Sequence, residues 1–439
     1  MELQPKLKCV HDKEHFVTDQ GFINLTIGAP GPRTLSEARQ IYREAARQRL
    51  ASDNDEFDTV MFQYGTEQGP TSFIQQLSSL LSAGYNDSID TESLLLTNGA
   101  SAGFFLATAI LLPKDKSTVI FVESPTYFLV LKMIQDHGFQ NIIPIPMQDD
   151  GVDTEFLHDS IKKEYDRLDI ENKSDTEKFW AMFYTIPTYH NPTGVCLSET
   201  KCQKVIHLAR KFNLLIICDD VYNLLHYKTE DLTLDSAPKR LISYDNKYDD
   251  NYNGGHVISN GSFSKILAPG VRIGWIESSE KIVKRLANCG MIYSGGSVNA
   301  VTSGIIAAAI ELGLQSKHIE KLKIEYGKRM LSSIKVLNEK LPNGFKCNQP
   351  GGGYFLWITG PSEKFDSGKF AEFCLSKYKV KVLPGSCCSS VSKNEIKNTK
   401  NKDMFCTNAF RISIAYYEHE ELYQAILKIC EACQEFVQD

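Results

Sequence analysis

No apolar run in this chain is long enough to cross a bilayer. The strongest, Ala102 to Leu112, falls well short of the ~20 residues that a spanning helix needs. The opening stretch, Met1 to Phe16, mixes acidic and basic groups and has no apolar h-region, which argues against a secretory signal or a transit peptide. A surplus of positive charge is also missing. The formal net charge is -6 and the basic residues are scattered, so no nucleic-acid partner is expected. No cysteine pattern fits a disulfide framework or a metal site. The twelve cysteines lie mostly far apart, and several (Cys218, Cys374, Cys430) fall within apolar patterns. Cys387-Cys388 is the one adjacent pair, and Cys430 and Cys433 have C-x-x-C spacing without a second pair to match. They read as reduced, mostly buried thiols of a cytoplasmic protein, with no metal assigned.

What is present is an alternation of short apolar strands and helices from about residue 60 to 280. Leu94 to Thr97, Thr118 to Val122, Phe179 to Ile186, Leu214 to Cys218 and Val257 to Ser259 read as strands. Ala102 to Leu112 reads as a buried helix, and another helix begins near Ser198. This order predicts an α/β fold whose mostly parallel sheet is covered by helices on both faces. From about 310 onward, long amphipathic patterns (Lys317 to Glu339, Glu418 to Val437) flank a few strands, as in a smaller α+β domain. The expected division is an N-terminal segment over 1–50, a large domain over 51–310 and a small domain over 311–439. Ser236 to Gly255 reads as a polar surface insertion between a helix and the next strand, and Ser389 to Asp403 as a second, mobile one.

The residues that carry chemistry centre on Gly261-Ser262-Phe263-Ser264-Lys265, followed by Ala268-Pro269-Gly270-Val271-Arg272-Ile273-Gly274-Trp275. A lysine kept from strong solvation can lose its proton and attack an aldehyde. Ser262, Ser264 and Arg272 are donors suited to a phosphate. Asn98-Gly99-Ala100-Ser101 joins a strand to an apolar helix, whose first N–H groups can also face a phosphate. Tyr127, after Ser124-Pro125-Thr126, fits either a ring-stacking role or the core. Asn191-Pro192-Thr193-Gly194 is a turn signal, and His190 before it suits a place near a ring or a structural one. Asp219 and Asp220 end an apolar strand, where α/β proteins place ligands, and either carboxylate could serve. Arg411 in Phe410-Arg411-Ile412 offers a planar fork to a carboxylate, or an ion pair.

Taken in order, these segments resemble fold-type I enzymes of the aspartate aminotransferase superfamily, over roughly residues 20 to 435. The aminoadipate/kynurenine and aromatic amino acid aminotransferases look nearest. The resemblance implies pyridoxal 5'-phosphate (PLP) as cofactor, held as a Schiff base (aldimine) on Lys265. It implies a phosphate site of Ala100, Ser101, Ser262, Ser264 and Arg272, and a stacking Tyr127. It places Asn191 and Tyr222 on the phenolic oxygen and, by the Asp-x-x-Tyr spacing, Asp219 rather than Asp220 on the pyridine nitrogen. Arg411 would take the substrate α-carboxylate, with Asn191 beside it, and Gly28 would belong to a segment closing over the substrate. Tyr64, in Phe62-Gln63-Tyr64-Gly65, would reach the phosphate of a neighbouring subunit and so imply a homodimer with shared active sites. Pro350-Gly351-Gly352-Gly353-Tyr354 is a further family marker, and Ser294-Gly295-Gly296-Ser297 offers no arginine for a distal carboxylate. The implied activity is transfer of an amino group between an L-amino acid (aromatic, 2-aminoadipate or similar) and a 2-oxo acid. The alternatives are a PLP-dependent lyase-type reaction on the same fold, or a non-catalytic PLP-binding regulator.

Overall fold

The computed structural model describes residues 21–51, 61–114, 117–172, 179–227, 237–361, 365–390 and 406–438. Its largest element is an eight-stranded sheet. In chain order its strands are β2 (Leu94–Thr97), β3 (Val119–Ser124), β4 (Asn141–Gln148), β5 (Gly151–Val152), β6 (Ala181–Thr185), β7 (Leu215–Asp219), β8 (Val257–Ser262) and β9 (Gly274–Ser278). In space they run β2-β9-β8-β7-β6-β3-β4-β5. The five central strands, from β4 to β8, are parallel, whereas β9 runs antiparallel between β2 and β8. The sheet is therefore mostly parallel, as expected, with β9 and β5 the antiparallel members beside that block. Every residue of β2, β3, β6 and β8 is buried. Strands covered on both faces need continuous apolar sequence rather than alternation, which is why they stood out as short hydrophobic runs.

Helices cover both faces, and their residues show which are inside. Ala100–Leu111 is apolar nearly all round and packs among β2, β8 and β9. Glu199–Phe212 is amphipathic, burying Val205, Ile206, Ala209 and Phe212 while its polar face meets water. Asp153 caps the helix Thr154–Arg167 by accepting from the N–H groups of Glu155 and Phe156.

A second sheet, antiparallel and four-stranded, is built from β10 (Lys346–Cys347), β11 (Phe355–Thr359), β13 (Leu383–Pro384) and β14 (Ala409–Ser413), ordered β10-β11-β14-β13. Helices Leu314–Lys340, Ser367–Tyr378 and His419–Phe436 accompany it. Near the N-terminus, β1 (Ile23–Asn24) pairs with β12 (Val380–Lys381), with Asn24 opposite Lys381. That pairing carries the segment after it across to the edge of the large sheet.

Of the polar stretch from Ser236 to Gly255, residues 237–255 are described, and they lead into β8. Its exposed tip includes Tyr248, but Arg240 and Asp245 on either side tie it into the body. Arg210 donates to Asp245 at 2.9 Å, and Asp245 also accepts from the His256 N–H at 2.7 Å. Arg240 is buried, lies 4.0 Å over the Tyr85 ring and forks onto the buried Glu277, with one contact at 3.1 Å. Sequence polarity hid this because each charge has its partner at a distant position. The second polar stretch lies largely outside the described residues, from 391 to 403.

Removing one partner of a buried ion pair leaves the other uncompensated. Arg240→Ala is expected to lower unfolding stability by about 3–5 kcal/mol. Urea denaturation followed by circular dichroism measures this, and an unchanged midpoint would contradict the anchoring role.

Candidate active site

The parallel strands end along one edge of the sheet. Asp219 closes β7 and Ser262 closes β8, and the chain turns directly from Ser262 into Lys265. Opposite this edge stand the segment after β1 and strand β14. Between them lies a cavity of about 330 Å³, lined among others by Gly28, Ala100, Ser101, Tyr127, Asn191, Asp219, Tyr222, Ser262, Ser264, Lys265, Arg272 and Arg411. Residues from 28 to 411 thus converge because the ends of separate strands do.

Lys265 Nζ donates to the Gly28 carbonyl at 2.6 Å, while Tyr354 fixes the lysine backbone through a 2.8 Å bond from its hydroxyl. Asp219 Oδ2 accepts from the Tyr184 hydroxyl at 2.7 Å. Asp220 points the other way and accepts from Ser259 at 2.5 Å. The side chain of Ser262 bonds that of Ser264 at 2.9 Å. Arg272 adopts the left-handed backbone region and donates to the Pro269 carbonyl at 2.9 Å and the Asn98 carbonyl at 3.3 Å. Its guanidinium lies against Gly99, where an added Cβ would sit 2.8 Å from Arg272 Nη2. Glycine at 99 is therefore required twice, for its positive φ and for this approach. Arg411 donates to Asn191 Oδ1 and to the Thr26 carbonyl, both at 2.7 Å, with its guanidinium 4.0 Å over the Phe355 ring. Its Nε is buried and has no hydrogen-bond partner among the described residues.

Burial sets the electrostatics. It draws the Lys265 ammonium down to about 8, opposed by Asp219 and reinforced by Arg411 and Arg272. Burial also raises the Asp219 carboxyl to about 6, opposed by the Tyr184 hydrogen bond, reinforced by Asp220 and opposed by Lys265. The phenols of Tyr127 and Tyr222 are raised by burial too, so both rings stay neutral.

Of the residues that the resemblance assigns to cofactor or substrate, all but one line this cavity. Tyr64 does not; it is 81% exposed and lies beside Gly295 on the surface. His190 sits beneath the site, fully buried, with Nε2 3.1 Å from Glu123 and Nδ1 2.8 Å from the Thr193 hydroxyl. Glu123 also accepts from Thr185 at 2.6 Å and the Ile186 N–H at 2.9 Å, which makes His190 part of a buried polar support.

Sequence reasoning missed Tyr184, Asn260 and Lys381, which also line the cavity. Asn260 holds the first turn of the helix Ala100–Leu111 by donating to the Ala100 carbonyl at 2.8 Å. Ser259 and Asn260, polar residues in a fully buried strand, were the available signal. Tyr184 resembled any core aromatic, and Lys381 any strand-edge lysine.

The family model for aminotransferase class I and II matches residues 21–429, and this chain belongs to that family. It is 28% identical to aromatic-amino-acid aminotransferase 1 of Thermococcus litoralis, over 94% of this chain and 88% of that one. It is 25% identical to the HTH-type transcriptional regulator NorG of Staphylococcus aureus, over 94% of this chain and 80% of that one. Among solved structures it superposes on the kynurenine aminotransferase of Pyrococcus horikoshii with a TM-score of 0.78 and 26% identity, covering 99% of this chain and 95% of that one. The protein is an aminotransferase with PLP as its cofactor. The cavity suits that group chemically. Two seryl hydroxyls, a guanidinium and a helix start gather at one end, a buried carboxylate and two neutral phenols line the middle, and an arginine with an orphaned N–H faces them.

An amine that titrates near 8 is half neutral at that pH, whereas a surface lysine is half neutral near 10.4. In protein stripped of cofactor, acetylation of Lys265 by a trace acylating reagent, read by mass spectrometry, is expected to rise about tenfold per pH unit below 8 and level off above it. A Lys265 profile that follows the surface lysines up to pH 10 would contradict its desolvation.

Proposed function

We propose that this aminotransferase exchanges the amino group of an aromatic, 2-aminoadipate or similar L-amino acid with a 2-oxo acid, in a cytoplasmic homodimer. The observation that carries the reading is the convergence of Lys265, Asp219, Asn191 and Arg411 on one cavity. The likeness to an aromatic-amino-acid aminotransferase supports the substrate class.

In this reading Ala100, Ser101, Ser262, Ser264 and Arg272 hold the phosphate, and Tyr127 stacks on the ring. Bound PLP supplies an aldehyde and an electron-accepting pyridine ring. Lys265, whose desolvated amine gives up its proton readily, would hold the group by its aldehyde, and as general base and acid it would carry the proton to and from the substrate Cα. Asp219, a carboxylate supported by Tyr184, keeps the ring nitrogen protonated. Asn191 has its oxygen engaged by Arg411, which leaves its amide N–H groups for the phenolic oxygen beside Tyr222. Arg411 binds the substrate carboxylate with its fork, and Gly28 brings the N-terminal segment over the substrate. We assign closure to residues 1–50 together with the 311–439 unit, against the 51–310 body.

The exposed Phe62, Tyr64, Met291 and Tyr293 support the dimer, since large apolar groups at more than 60% exposure suit a subunit contact. Tyr64 would then serve the neighbour's phosphate.

Adding a single amino acid to the holoenzyme, with no oxo acid, is expected to convert the visible cofactor band, aromatic donors or 2-aminoadipate fastest. Lys265→Ala is expected to lose at least about 10⁴-fold in rate while retaining cofactor through the phosphate contacts. Wild-type-like transfer by that variant would overturn the assignment. A stable band that no amino acid converts would favour the regulator reading raised by the NorG likeness, and ammonia released without any oxo acid would favour a lyase. Sedimentation is expected to give a dimer, and Tyr64→Ala to weaken cofactor binding about tenfold; a fully active monomer would contradict the shared site.

A further inference from the structure

The roles above leave one charged group of the cavity unused. Among the described residues the cavity lining carries four cationic side chains, Lys265, Arg272, Lys381 and Arg411, against one carboxylate, Asp219. Lys265, Arg272 and Arg411 have roles with the aldehyde, the phosphate and the α-carboxylate. Lys381 has none. Among the described residues no carboxylate pairs with it, although the surface carries many lysine–carboxylate pairs, such as Lys321–Glu37 and Lys204–Glu155. A half-buried lysine that lines a cavity, with no carboxylate partner among the described residues, suits an anion brought from outside.

Its position says which part of a substrate that anion belongs to. Lys381 stands on β12 opposite Asn24 of β1, and its carbonyl accepts the Leu25 N–H at 2.9 Å. Two residues on, Leu383 is the register partner of Arg411. Two residues of extended chain span roughly 7 Å and neighbouring strands lie about 5 Å apart, so the Lys381 and Arg411 backbones are within roughly 12 Å of each other, and both residues line the cavity. A molecule whose first carboxylate is held by Arg411 can offer a second one to Lys381. We infer that Lys381 holds the distal carboxylate of a dicarboxylic substrate, a 2-oxo diacid or its amino acid. This rests on the aminotransferase reading and deepens it.

The remainder of the lining accounts for the other half-reaction. Phe128, Leu129, Met133 and Phe355 give the cavity apolar wall that suits an aromatic or aliphatic side chain. One site must accept two different side chains in turn. A lysine on four flexible methylenes can meet a carboxylate in one case and swing toward water in the other, which a rigid guanidinium does less readily. Recognition of the diacid thus needs no arginine in the 294–297 loop, where the sequence has none.

The test compares two 2-oxo acids of similar size, 2-oxoglutarate and the monocarboxylic 2-oxohexanoate, as acceptors for the amino-loaded holoenzyme. The expected result is that Lys381→Met lowers the ratio of their kcat/KM values about tenfold, the scale of one lost charge-assisted hydrogen bond. The loss should appear in the KM for 2-oxoglutarate, and Lys381→Arg should restore most of the ratio. An unchanged ratio, or an equal loss for both acids, overturns the inference while leaving the aminotransferase reading intact. If the wild-type holoenzyme passes its amino group to neither acid and takes none from any amino acid, both fail together.

Discussion

The site depends on taking one amine out of water without giving it a direct carboxylate partner. Lys265 is desolvated at the end of β8, bonded to a backbone carbonyl and bracketed by two guanidiniums, and its nearest counter-charge is a carboxylate already engaged by Tyr184. A direct Lys265–Asp219 ion pair would hold the proton on the lysine, and full exposure would do the same. The arrangement avoids both. It also explains why Asp219 rather than Asp220 fits the chemistry, because only Asp219 opens to the cavity, and Asp220 is turned into a buried network with Ser259.

The fold supplies this arrangement by joining parts distant in sequence. Parallel strands deliver Asp219 and Lys265 to one edge. The long-range pairing of β1 with β12 brings Gly28 over it, and β14 presents Arg411 from the other side. Arg411 then ties three regions together, through Asn191, Thr26 and Phe355. Such a site is sensitive to the relative position of its two sheets.

Much of this was legible in the sequence, and the reason is physical. Strands buried on both faces are written as short apolar runs, so β2, β3, β6, β7 and β8 announce themselves. The lysine segment, the Asp-x-x-Tyr pair and the arginine of β14 carry chemistry in local order, so their residues could be chosen before any contact was known. What was hidden depends on pairing across long distances. Tyr184 becomes a partner of Asp219 only once β6 lies beside β7. The antiparallel β9 leaves no mark in composition. Arg240 looked like insertion polarity until Glu277 appeared beside it. Lys381 gains meaning only from the cavity it faces.

The most direct test of the account is to reduce the holoenzyme with borohydride, digest it and locate the pyridoxyl mass by tandem mass spectrometry. The account predicts the label on the peptide containing Lys265 and on no other lysine. A label on a different lysine, or none after saturation with PLP, would contradict it.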